Sequence, residues 1–410
     1  MHRTKMGILS GEHIDTKTVG TTIALVVIGL VSIYSATYDA GASAYFFRQI
    51  WWAVAGLVLM ASIIVMPFRM LQMLSYPIYA LSILMLVGVM VIGKTIAGST
   101  SWFGVGGFGV QPSEIAKPAT VLALAAYLSN RQVTLKRSKH IVATFLLVLL
   151  PMGLVLAQPD IGTAVVYGGM LVPVLYWAGA SPLLLLSLTA PAIAAVAALF
   201  GVTPFLIVIV VVFLALFLLR ENRLHSAIVF SLTVLVGVSV QYMYGKLAPY
   251  QQKRIETFLS PEVDPLGAGY NVIQSKIAIG SGGILGKGYL QGTQTQLNFI
   301  PAQWTDFIFC VPSEEFGFLG ASIILLLLIA LLVRGVSIAS MAKSRYASLV
   351  AVGIVGVFAV HVVINIGMSM GLMPVIGVPL PFLSYGGSSL MTSMLMSGLL
   401  ANMYLNRKEY

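Results

Sequence analysis

Three acidic residues stand in stretches otherwise poor in charge: Glu114 in QPSEIAK, Asp160 in QPDIG and Asp306 in WTDFIF. An ionisable group among apolar neighbours is costly, so each position calls for a reason. Burial of Asp306, between Thr305 and Phe307, would raise its pKa toward that of a useful general base. Glu114 and Lys117 are three residues apart, so on a helix they share a face and can pair. Two readings of that pair stand side by side. One is an ion pair that settles a helix end, because Pro112 suits a first-turn position and Glu114 lies where the helix dipole favours a negative group. The other is a carboxylate and an ammonium facing a polar cavity, which the place of Lys117 inside an apolar zone favours. Asp160, just before Ile161, reads first as a helix N-cap.

Other motifs are weaker. GSGGILGKGYLQGTQTQ (280–296) looks phosphate-cradling but fails the strict tests. Ser281 stands where a P-loop needs its first Gly, Gly288 follows Lys287 where Ser or Thr is due, and Leu285 replaces the third Gly of GxGxxG. A nucleotide site is excluded. The glycines still permit tight turns whose backbone N–H groups suit an anionic headgroup, with Lys287 beside them as a candidate substrate contact. Glu314 and Glu315 fall near a helix end, where a dipole complement would account for them. PLPFLSYGGSS (379–389) is a broken entry to the last apolar run, and such backbone at membrane depth lines polar cavities. Its Ser384 and Tyr385 are candidate substrate contacts. His361 and Asn365, one turn apart, read as interhelical hydrogen-bond formers rather than metal ligands. Cys310 is a lone cysteine expected in the core, and no metal-ligand spacing occurs.

The elements that must position these groups cross a membrane. The 410 residues are 58% hydrophobic and only 9% charged, with a mean hydropathy of +0.96. A soluble fold cannot hide that much apolar surface, and long continuous apolar runs exclude a barrel. Disorder and a disulfide scaffold are excluded too. The expected class is an all-α polytopic membrane protein of 10–12 spans. Apolar runs lie at 19–37, 47–66, 71–93, 111–129, 141–157, 161–179, 182–200, 203–219, 225–244, 317–333, 347–370 and 384–404. Residues 1–18 lack a cleavable signal, so the first span is expected to stay.

Fifteen of the 23 Lys and Arg fall in short segments on one side if the N-terminus is inside, against Arg48, Lys94 and Lys117 outside. N-in, C-in follows, with the long loop 245–316 facing outward. The +10 net charge is thus largely a topology signal and not a nucleic-acid footprint. Within the loop, 271–280 has the pattern of an amphipathic helix at the membrane. Glu114, Asp160 and Asp306 then share the outer layer.

Together QPSEIAK, QPDIGTA, KRIETFLSPEVDPLGAGYNVIQSKIAIGSGGILGKG, GTQTQLNFIP, WTDFIF, EEFGFLG and PLPFLSYGGSS resemble the SEDS family, the RodA and FtsW peptidoglycan polymerases, over about 20–404. PLPFLSYGG and NFIPAQWTDF look more like the elongation branch. The resemblance implies one integral membrane domain with a catalytic outer loop, in the bacterial cytoplasmic membrane. It implies a glycosyltransferase that joins lipid II units into glycan strands on the outer face, with a class B penicillin-binding protein as partner. By resemblance Asp306 is the family's loop aspartate and general base, Glu114 and Lys117 its helix-start pair, Asp160 its QPD aspartate and Trp102 its tryptophan before QPSE. Arg48 and Lys117 are then candidates to stabilise the departing undecaprenyl pyrophosphate. A divalent cation (Mg2+ or Mn2+) on Glu114 or Asp160 is an open expectation. Two departures stand out: Trp304 where the family commonly has His, and a surplus helical hairpin at 181–224 beyond the usual ten spans. The rival readings are a flippase for lipid-linked precursor, which predicts inverted repeats and midplane charges, and a recruiting scaffold.

Overall fold

The computed structural model describes residues 14–38, 43–96, 99–105, 108–219, 222–244, 246, 252, 256, 262, 264–265, 269–301 and 303–409. Most of the motif KRIETFLSPEVDPLGAG, at 253–269, lies outside the described residues. In chain order the elements are α1 (Thr16–Ala36), α2 (Ser43–Val65), α3 (Phe68–Ile92), strands β1 (Lys94–Ile96), β2 (Ser99–Val105) and β3 (Phe108–Val110), α4 (Pro112–Ser129), α5 (Ser138–Ala157) and α6 (Ile161–Trp177). There follow α7 (Pro182–Leu199), α8 (Val202–Leu219), α9 (Arg223–Tyr244), α10 (Tyr270–Ser281), α11 (Thr293–Gln296), α12 (Cys310–Glu315), α13 (Gly317–Met341), α14 (Arg345–Ser369) and α15 (Gly387–Leu405). Every apolar run of the sequence is a helix. Among the described residues nine are long and apolar enough to cross a membrane. Of the rest, α6 has 17 residues, while α4 and α15 carry more polar residues and are buried along most of their length. A helix walled by other helices needs no lipid-compatible surface.

Contacts divide the chain into two compact units, Met1–Val174 with Gln274–Tyr410, and Leu175–Ile273. In the first, α14 is the inner post. It is buried along most of its surface, 72% of its apolar window lying inside the protein, as a largely apolar helix should be. Asp15, at the start of α1, holds Arg334 of α13 through a 2.8 Å ion pair. The 94–110 stretch, which shows no clear pattern in the sequence, forms a three-stranded antiparallel sheet in the order β1-β2-β3. It pairs Lys94 with Trp102 and Phe103 with Val110, and delivers the chain to Gln111 at the head of α4.

The second unit contains the hairpin expected at 181–224. It is two full helices of 18 residues, and the Ser181 hydroxyl caps α7 by accepting from Leu184 N–H at 3.2 Å. Ala190, Ala194 and Ala198 repeat every four residues and let Phe205, Val212, Leu216 and Val229 pack closely. Gly237 of α9 lies under the Phe205 ring, where a Cβ has no room.

Candidate active site

Pro112 opens α4 at its first turn, and Glu114 and Lys117 follow on one buried face. Lys117 Nζ lies 2.8 Å from Glu114 Oε1, with both side chains almost fully enclosed. The same Nζ lies 2.9 Å from His361 Nε2 on α14. Across the imidazole ring, Nδ1 is 2.9 Å from the carbonyl oxygen of Pro379. The ion pair sits at a helix start, as the first reading expects, and through His361 it connects to the broken segment before α15.

One turn beyond His361, the Asn365 amide donates to the backbone carbonyl of Asp306 at 2.9 Å and to that of Val378 at 2.7 Å. Ser384 adds two further bonds. Its hydroxyl donates to Thr305 O at 2.7 Å and accepts from Leu380 N–H at 2.8 Å. Tyr385 N–H donates to Trp304 O at 2.8 Å. Residues 304–306 and 378–385 thus form one hydrogen-bonded frame. Gln49 of α2 clamps it, donating to Ser384 O at 3.3 Å and accepting from Gly386 N–H at 3.2 Å.

The Asp306 carboxylate itself accepts no hydrogen bond and joins no ion pair among the described residues. It faces Gly377, where an added Cβ would lie 3.7 Å from Oδ2. Gly377 has φ +70°, a conformation that favours glycine. Burial raises the pKa of Asp306 above the ordinary aspartate value. The backbone of Asp306 is thus fixed while its carboxylate is left for another partner.

Tyr45 packs on both Trp304 and Tyr385, with ring centroids 5.5 and 5.4 Å apart. Arg48, one turn further along α2, is exposed and bonds to the Tyr385 hydroxyl. Asp160 acts as the N-cap expected of it: Oδ1 accepts from Thr163 N–H at 3.0 Å and Oδ2 from the Thr163 hydroxyl at 2.9 Å. Oδ2 also accepts from the Gln111 amide at 3.1 Å, which ties the heads of α6 and α4 together. Trp102 covers Gly109 of the neighbouring strand, where a Cβ would come within 2.9 Å of the indole.

Lys287 is placed differently from the sequence expectation. Its ammonium is engaged by Glu314 Oε1 at 2.8 Å and the Thr293 hydroxyl at 2.7 Å. The N–H groups of Gly286, Lys287 and Gly288 all donate to backbone carbonyls, of Gly282, Glu314 and Glu315. These three donors are used inside the protein and are not offered to an anion. Glu314 and Glu315 close the short α12, and Glu314 complements the N-terminus of α11, as a dipole complement would. Glu314 gathers Lys287, the N–H groups of Gln294 and Thr295, and the Thr295 hydroxyl. Glu315 accepts from Ser35 on α1 and from Leu290 N–H. Cys310 is buried with Ala278, Ile300 and Phe307, as a core residue.

The donor set does not fit a divalent cation. Glu114 already faces an ammonium, both oxygens of Asp160 accept hydrogen bonds, and no group of three His, Cys, Asp or Glu converges among the described residues. The residues that the sequence alone leaves outside the site are His361, Asn365, Gln49 and Gln111. Their common signal is a polar side chain on or beside an otherwise apolar helix.

A family model described as "Cell cycle protein", covering FtsW, RodA and SpoVE, matches residues 16–214 and 204–409. The chain belongs to this family. Among its relatives, the peptidoglycan glycosyltransferase RodA of Treponema pallidum is 38% identical, over 95% of this chain and 96% of that one. The peptidoglycan glycosyltransferase MrdB of Escherichia coli K12 is 36% identical, over 97% and 95%. Among solved structures, a chain described under structural coordination of polymerization and crosslinking by a peptidoglycan synthase complex superposes with TM-score 0.74 at 32% identity, covering 97% of this chain and 100% of that one. Rod shape determining protein RodA of Thermus thermophilus superposes with TM-score 0.65 at 26% identity, over 98% and 99%.

Proposed function

We infer that the chain is a RodA-like peptidoglycan glycosyltransferase, a multi-pass protein of the bacterial inner membrane that polymerises lipid II. Family membership supports the activity. The observation that carries the mechanism is a half-buried, unengaged carboxylate on Asp306 and a buried ammonium on Lys117, the backbone of the first and the side chain of the second both held by α14.

In this reading Asp306 removes the proton from the 4-hydroxyl of the acceptor GlcNAc. That oxygen attacks the anomeric carbon of MurNAc at the reducing end of the growing chain. The bond to undecaprenyl pyrophosphate breaks, with inversion from α to β. Negative charge grows on the leaving diphosphate, and a fixed cation in a water-poor site is the most effective stabiliser of it. Lys117 supplies that cation, and Arg48 adds a second, exposed one. Asp160 and Trp102 shape the neighbouring wall, and Ser384 and Tyr385 hold the loop that carries the base. Lys287 braces the outer loop.

The N-in, C-in arrangement puts this site at the outer face. Asp15 at the head of α1 and Arg334 on α13 pair with each other, which puts those parts of the two helices in one layer. The likeness to a chain of a peptidoglycan synthase complex supports a crosslinking partner, which we assign as a class B penicillin-binding protein. The test is purified chain with labelled lipid II, with and without that partner, its products read on a gel. Polymer from the native chain and none from Asp306→Ala supports the reading. No polymer even with partner and divalent cation overturns it, and a liposome flipping assay would then test transport.

A further inference from the structure

His361 sits between a neighbour that can only accept and one that can only donate. The Pro379 carbonyl has no proton, so Nδ1 must carry the hydrogen of the 2.9 Å contact. The Lys117 ammonium has no lone pair, so Nε2 must offer its own at 2.9 Å. The two partners assign a single tautomer, neutral, with Nε2 as acceptor. A ring protonated at both nitrogens would aim an N–H at an ammonium.

Lys117 has three N–H bonds. Glu114 takes one at 2.8 Å and His361 takes a second. An ammonium is tetrahedral, so two fixed bonds determine the direction of the third. With Glu114 alone, a single contact would resist rotation about the Cε–Nζ bond; His361 adds a second. His361 shares α14 with Asn365, one turn away, which fixes the backbone of Asp306. The helix therefore sets the cation and the carboxylate from one rigid body.

We propose that His361 is a positioning residue: by accepting from Lys117, it aims the remaining ammonium N–H at the departing diphosphate and keeps it in register with Asp306. The proposal rests on the glycosyltransferase reading above and names a role that Nε2 plays as an acceptor, separate from filling space. His361→Asn keeps a donor close to the Nδ1 position for Pro379 but withdraws the acceptor from Lys117. His361→Gln reaches further and returns an acceptor near the Nε2 position.

The experiment measures initial rates of lipid II polymerisation and thermal unfolding for the native chain and both variants in detergent. His361→Asn is expected to unfold within a few degrees of the native chain and to lose about 100-fold in kcat, the scale of a misplaced catalytic group. Its KM should change less than about twofold, because charge on the diphosphate grows only as the bond breaks. His361→Gln should recover at least about tenfold of the lost kcat. Native-like rates in His361→Asn would overturn the proposal, and so would a Gln variant no better than Asn. Unfolding of both variants would also overturn it, leaving His361 a packing residue. Absence of polymer from the native chain would instead overturn the glycosyltransferase reading, and this assignment with it.

Discussion

Asn365 holds two segments at once: its single amide nitrogen donates to Asp306 O at 2.9 Å and to Val378 O at 2.7 Å, bringing the loop before α12 against the loop before α15. Removing the amide strands two buried carbonyls, at about 1–3 kcal/mol for each unsatisfied group. Asn365→Ala is therefore expected to lower thermal stability and to cost kcat as the Asp306 backbone relaxes. Calorimetry with initial-rate measurements checks both; native stability and native rate together would contradict the frame.

Asp306 should set the acidic limb of the activity profile. Its pKa is raised by burial, and a general base works only when deprotonated. Activity should fall as pH drops through a midpoint above the ordinary aspartate value of about 3.9. Asp306→Asn should remove that limb together with about 10²–10⁴-fold of the rate. A pH–rate profile whose limb survives in the Asn variant would assign it to another group.

Gly377→Ala places a methyl at φ +70° and 3.7 Å from Asp306 Oδ2. The backbone strain should cost about 1 kcal/mol. The methyl also takes space in front of the carboxylate, so the rate should fall more than the stability does. Parallel unfolding and polymerisation measurements separate the two effects.

Breaking the buried Glu114–Lys117 pair from one side leaves an uncompensated charge. Lys117→Met is expected to destabilise by about 3–5 kcal/mol. Adding Glu114→Gln should restore part of the stability but none of the activity, because the cation is still missing. Equal stability of the single and double variants, read by denaturant unfolding, would show that the two side chains act separately.

The adjacent glutamates Glu314 and Glu315 should respond to pH with opposite signs. Burial pushes Glu314 up, but Lys287 and the N–H groups of Gln294 and Thr295 outweigh it and hold its pKa low. Its stabilising contribution is present above the ordinary glutamate pKa and is lost as pH falls through the depressed value. Burial leaves Glu315 raised despite Ser35 and Leu290. Its contribution is present below the ordinary pKa and is lost as pH rises through the raised one. At neutral pH, Glu314→Gln should destabilise and Glu315→Gln should be neutral or stabilising. Thermal scans of the two variants across pH decide it.

The helices are legible in the sequence because lipid imposes long apolar runs, and all twelve runs are helical. Asp160 as an N-cap, Cys310 as a core residue and the helix at 271–280 are local readings that local structure answers. The 94–110 sheet escapes such reading because KTIAGSTSWFGVGGFGV is rich in Gly and has no steady alternation. Lys287 misleads because a glycine-rich loop beside a lysine reads alike whether its N–H groups face a ligand or, as here, the carbonyls of Gly282, Glu314 and Glu315. His361 and Asn365 are visible as hydrogen-bonding residues, but their partners are not, since His361 reaches Lys117 across 244 positions.

The clamp between Gln49 and Ser384 spans 335 positions. Synthesis runs from the N-terminus, and earlier segments settle first. A nascent chain lacking residues 384 and 385 has Asn365 to hold Asp306 but nothing on the carbonyls of Thr305 and Trp304, and α2 offers an amide that has nothing to grip. Polymerising competence thus arrives in one late step of biogenesis, when the final helix enters the membrane.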